Sequence, residues 1–185
     1  MPVIKTDRDA IIKESIYLFK VNGYSQTTMA HIGKACGLIK GSIYHHFRSK
    51  EDLALACLKY IHELFERDIF AIAYQSNISA QKRFEQFTKA MEEYFLHSEG
   101  GCLLGNFALE ISNTIAPLKK EIIAYFDTWE EALVHIFQEK FEASLARDMA
   151  KQCVASTQGS IMMMRLYGDK EAFHKYNLEA IKLLV

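Results

Sequence analysis

Apolar residues recur every three or four positions along nearly the whole chain, and no stretch alternates long enough to make a convincing strand. Ile12, Ile16 and Phe19 form one such stripe, and Leu53, Cys57, Tyr60, Ile61, Leu64 and Phe65 form another. This spacing restricts the chain to an all-α fold. Thr6 can cap a first helix that Gly23 ends, and Thr27-Thr28 begin a second that Gly37 stops. A third runs through Tyr44 to about Phe47. Ser49 then caps a longer helix, with Glu51 and Asp52 in the first turn, where the helix dipole favours negative charge. Further helices are expected over 79–98, 102–113, 116–142, 148–167 and 170–184, punctuated by Asn77, Gly100-Gly101, Pro117 and Gly168-Asp169.

At 185 residues the chain can bury a core for one or two domains, and 50% hydrophobic residues with two prolines argue against disorder. No run of about 18 apolar residues offers a membrane span. The N-terminal MPVIKTDRDAIIKE is charged and lacks the apolar centre of a signal peptide. Cys36, Cys57, Cys102 and Cys153 are scattered without a C-x-x-C pair, which fits reduced thiols in a cytoplasmic protein. The net charge of −1 hides an asymmetry. Residues 1–50 hold eight basic and three acidic side chains, for +5, while the remainder holds 14 basic and 20 acidic, for −6. A basic head on an acidic body is what phosphate binding by one end requires.

Two short helices joined by a glycine turn, after a longer first helix, make a helix-turn-helix arrangement. At 100° per residue, Ile39, Ile43 and Phe47 share the side of the third helix that can pack inward. Gly41 and His45 lie opposite, with Ser42 and Tyr44 on the shoulders and Lys40 at the N-terminal edge. That face is small at Gly41, where a backbone can approach a groove, and its donors suit phosphates and base edges. Lys50, at the start of the next helix, adds an anion site.

The stretch TTMAHIGKACGLIKGSIYHHFRSKEDL, residues 27–53, with the lead-in LFKVNGYSQ at 18–26, resembles the DNA-binding domain of TetR-type transcriptional regulators. A later segment, GCLLGNFALEIS at 101–112, resembles one seen in a branch of that family. The resemblance implies a three-helix DNA-binding domain over 1–48, its helix-turn-helix at about 28–47, and a helical effector-binding and dimerisation domain over 49–185. It implies a homodimeric repressor of palindromic double-stranded DNA, released by a small molecule, with no cofactor and no catalysis. Carried over by position, Thr27, Thr28, Lys40, Ser42, Tyr44, His45 and Lys50 would contact DNA. Where the family usually has a serine to cap the recognition helix, this chain has Ile39; either the cap is missing, or Ile39 packs inside.

Metal chemistry is weakly supported. His45 and His46 are about 100° apart on a helix and cannot easily grip one ion together. A two-metal carboxylate site needs two Glu-x-x-His pairs, and Glu171 with His174 supplies one. For pairing of subunits, Ala155, Gly159, Ser160 and Met163 put small and apolar residues at close spacing on a late helix. For the effector, Phe107, Tyr125 and Trp129 could line a cavity with Asn106 or Glu110 as polar handles, favouring a largely apolar ligand. Cys102 raises a rival, thiol sensing, although no basic residue lies near it in sequence to activate it.

Overall fold

The computed structural model describes residues 7–111 and 115–181, apart from the side chains of Lys40, Ala180 and Ile181. Among these residues there are nine α-helices and no strand: α1 (Arg8–Asn22), α2 (Met29–Ala35), α3 (Lys40–His46), α4 (Lys50–Asp68), α5 (Ala80–Leu96), α6 (Leu103–Ile111), α7 (Ala116–Phe137), α8 (Ala143–Tyr167) and α9 (Lys170–Ile181). A short 3-10 helix, Phe70–Tyr74, which apolar spacing did not announce, lies between α4 and α5.

Local chemistry accounts for several of the ends. Thr6 and Leu184 lie outside the described residues, and α1 is capped by Asp7, whose carboxylate accepts from the Ala10 amide at 2.8 Å. Gly23 closes α1 at φ +82°, in the left-handed region that glycine tolerates, and returns its N–H to Phe19 O. Thr28 caps α2 by accepting from the His31 amide, and Ser49 caps α4 by accepting from the Asp52 amide. Asp52 reciprocates with its carboxylate on the Arg48 amide at 3.0 Å.

The α7–α8 boundary differs from expectation. The predicted helix to 142 stops at Phe137, and α8 begins at Ala143 instead of 148. No glycine or proline marks this turn, so periodicity runs through it. Tertiary contact fixes it instead: the Glu139 carboxylate is ion-paired with Arg83, a buried α5 side chain that also donates to Ala73 O.

The chain forms two compact units. The first takes residues up to Ile61 together with Leu103–Ile122, so it includes much of α4 and all of α6 besides the three-helix head expected at 1–48. Ile11, Phe19, Ile32, Ile43, Phe47, Leu53 and Phe107 form its core. The second unit takes His62–Cys102 and the chain from Ile123 onward. There α9 packs on α5 and α8, around buried Phe65, Phe70, Phe84, Phe95, Trp129 and Phe137.

Candidate nucleic-acid interface

The geometry of α3 follows from two anchors. Ile43 and Phe47 are buried, and the Arg8 guanidinium sits 4.6 Å from the Phe47 ring centroid. With that side fixed inward, Gly41 and His45 face solvent, Ser42 is half-buried and Tyr44 is 44% exposed. A Cβ placed on Gly41 would meet nothing within 4 Å. The protein's own packing therefore does not require glycine there, and the missing side chain leaves clearance for something outside. Thr28 stands exposed at the start of α2, its hydroxyl accepting the capping bond. The Lys40 side chain lies outside the described residues.

Ile39 does not share the buried side of α3 as its angular position suggested. It is 77% exposed at the N-cap, with extended backbone (φ −73°, ψ 152°) and no side-chain capping bond. The reason is that the cap residue precedes the helical turn, so the 100° rule does not reach it.

Two residues carried over as DNA contacts are engaged inside the protein. Thr27 is fully buried, and its hydroxyl lies 2.7 Å from Gly23 O and 3.3 Å from Leu18 O, tying the start of α2 to the end of α1. A hydroxyl so enclosed has no face for DNA. Lys50 donates from Nζ to Tyr24 O at 2.9 Å and lies 4.1 Å from the Tyr24 ring centroid. Its ammonium is thus engaged at the turn between α1 and α2.

That turn is held from its other side by a residue assigned elsewhere by sequence. Glu110, on α6, accepts from the amides of Tyr24 and Ser25. Asn106 donates to Lys20 O, and Phe107 meets the rings of Phe19 and Tyr24 at 5.5 and 5.4 Å. Three expected effector residues thus face α1 and its following turn. Burial, and then the carboxylates of Glu51 and Glu110, push the Tyr24 phenol up to about 12, so it stays protonated. Only a long-range contact could reveal this role, since residues 24 and 110 share no local pattern.

Cys102, Tyr125 and Trp129 belong to the second unit, and all three are buried. The other three expected effector residues, Asn106, Phe107 and Glu110, belong to the first unit. Ala155 and Met163 are exposed on α8, Gly159 and Ser160 are half-buried, and a Cβ on Gly159 would meet nothing within 4 Å. These four share their helix with exposed Met162, Leu166 and Tyr167. His174, from the lone Glu-x-x-His pair, bonds Glu92 on α5 at 2.6 Å. Among the described residues no three His, Cys, Asp or Glu side chains cluster as a metal site, and no helix is long and apolar enough to cross a membrane.

Comparison with known proteins adds independent findings. Residues 11–57 match the model of the bacterial regulatory proteins of the tetR family. Residues 80–177, more than half of the chain, match the C-terminal domain of LmrA/YxaF-like transcriptional regulators. The chain is 26% identical over 175 residues to the HTH-type transcriptional repressor DhaR of Mycobacterium sp. (strain GP1), covering 91% of this chain and 87% of that protein. It is 27% identical over 167 residues to YxaF of Bacillus subtilis, an uncharacterised HTH-type transcriptional regulator, covering 88% of this chain and 87% of that one. A TetR transcriptional regulator from Legionella pneumophila shares the fold over the full length of both chains, with a TM-score of 0.87 at 24% identity.

Proposed function

This chain belongs to the TetR family of bacterial transcriptional regulators, a DNA-binding and non-enzymatic class, and we propose that it is a homodimeric repressor. Each α3 would read half of a palindromic operator, and the second unit would bind a small, largely apolar effector that releases the DNA. The observation that carries this reading is the exposed α3 face, where Gly41, Tyr44 and His45 project from a helix anchored by buried Ile43 and Phe47. Donors on a rigid element, with clearance at their centre, are what groove recognition needs.

Pairing of subunits is supported by α8. A lone protomer would expose Met162, Met163, Leu166 and Tyr167 together, the last at 73%. Beside them a groove of about 330 Å³ runs along α8 and α9, lined in part by Gly159, Met163, Phe173 and Tyr176. Apolar surface of this kind is costly in water, which supports its burial against a second copy.

Duplexes selected from a random library by the purified protein should contain inverted repeats, with half-site centres one helical turn or a multiple apart. Tyr44→Ala should weaken binding to them by about tenfold or more while leaving the thermal transition unchanged. Selected sequences without dyad symmetry, or undiminished binding by Tyr44→Ala, would refute the docking proposed here.

A further inference from the structure

Two fully buried donors on α7 have no hydrogen-bond partner among the described residues: the Tyr125 hydroxyl and the Trp129 indole N–H. Buried polar groups are nearly always bonded, so such orphans need a cause. Arg83 Nε and the Gln158 amide nitrogen share the condition, but they differ in setting. Arg83 is held through its other nitrogens, and Gln158 as a whole is only half-buried. Tyr125 and Trp129 sit one turn apart on the same helix, with ring centroids 6.1 Å apart.

Their surroundings are aromatic. Phe65 and Phe70 meet Tyr125 at 5.4 and 5.6 Å, while Phe70 and Phe126 stack on Trp129 at 6.2 and 6.3 Å. A ring contact from His62 completes the wall at Tyr125, and the His62 Nε2 is engaged with the Thr128 hydroxyl at 3.2 Å. A void of about 10 Å³ lies against Trp129, beside Phe87, Met91 and the polar side chains of Thr88, Thr157 and Asn177, and holds no more than a water. Any larger occupant must part the rings. Burial, and then Cys102 and Tyr94 close by, keep the Tyr125 phenol protonated and therefore able to donate.

We infer that Tyr125 and Trp129 are the recognition pair of the effector site, and that its ligand is a compact, uncharged aromatic compound bearing a carbonyl or similar hydrogen-bond acceptor. The inference rests on the effector reading above. An indole N–H can only donate, so the ligand must accept. Aromatic walls favour an offset or edge-on ring. A carboxylate would have to leave water for neutral donors alone, at heavy desolvation cost.

The test compares two ketones, acetophenone and 1-tetralone, with ethylbenzene and tetralin, hydrocarbons of like size, and with benzoate. Calorimetric titration of the wild-type chain should show the ketones binding about tenfold or more tighter than the hydrocarbons, and benzoate not at all. Tyr125→Phe and Trp129→Phe keep a ring and remove one donor. Each should cut the ketone preference by about two- to tenfold, with hydrocarbon binding unchanged. Absent ketone binding, equal binding of ketone and hydrocarbon by the wild-type chain, or a preference that survives both substitutions together overturns the inference. Operator binding separates the two readings. A ketone that binds through this pair yet leaves DNA bound refutes the effector reading and keeps the site. DNA release that is identical in the double variant refutes the site and keeps the effector reading.

Discussion

Glu110 and Tyr24, 86 residues apart in the chain, are joined by a hydrogen bond of 2.7 Å from the Tyr24 amide to the Glu110 carboxylate. The same carboxylate takes the Ser25 amide at 2.6 Å, and it lies so near Gly23 that a Cβ there would come within 3.1 Å of Oε2. The turn leading into the helix-turn-helix is therefore clamped by α6.

Removing that clamp should have a pH signature. Burial pulls the Glu110 carboxyl up, but hydrogen bonds from Ser25 and Tyr24 and the nearby Lys50 ammonium outweigh it and hold its pKa below the ordinary value. A depressed carboxyl stabilises the fold above its unfolded pKa, and that stability disappears as pH falls through the folded pKa. The protection of the Tyr24 and Ser25 amides against hydrogen exchange, measured relative to the intrinsic rate at each pH, should fall in acid in the wild type. In Glu110→Gln that protection should already be low at neutral pH, with a stability loss of about 1 kcal/mol because the residue is only partly desolvated. Equal protection in both proteins would show that the contact is passive.

Lys50 gives a contrast between two roles. If its ammonium serves Tyr24, Lys50→Ala lowers the melting temperature, by about 1 kcal/mol of stability, and leaves the salt dependence of DNA binding unchanged. A slope reduced by about one per affected subunit, with unaltered melting, would instead place it on a phosphate.

At Ile39, replacement by serine should stabilise the first unit. The residue is exposed, so little burial is lost, and its extended backbone suits a capping hydroxyl on the Ser42 or neighbouring amide. A gain of about 0.5–1 kcal/mol in thermal denaturation is expected. A lower melting temperature would mean that Ile39 makes apolar contacts in solution.

Gly159→Trp probes the pairing of subunits. Space for a Cβ is open within the protomer, so the bulk should spare the monomer's fold and obstruct a partner. Sedimentation should show monomers or loosened dimers with normal helical content. An intact dimer would remove α8 from the interface.

What could be read in the sequence was local. Caps at Thr28 and Ser49, the glycine stops at 23 and 168, and the inward pair Ile43 and Phe47 all depend on neighbours within a turn or two. Thr27 and Lys50 sit at matching positions of a family pattern, yet their partners, Gly23 O and Tyr24 O, are set by how the turn folds back. Glu110 reads from sequence as a polar handle for an effector, because nothing in its own segment names Tyr24. The α7–α8 turn was hidden for the same reason, its ion pair reaching from Glu139 to Arg83. Apolar periodicity says that Tyr125 and Trp129 face inward, but it cannot say that their donors lack partners.

The sole tryptophan of the chain, Trp129, is buried in the second unit, and the first unit has none. Indole emission during heating therefore follows the second unit, whereas far-ultraviolet circular dichroism follows helices of both. Coincident curves would mark a single cooperative transition. A dichroism change preceding the emission change would mean that the reading head melts while the body persists. The placement of one side chain thus makes the two halves optically separable without a label.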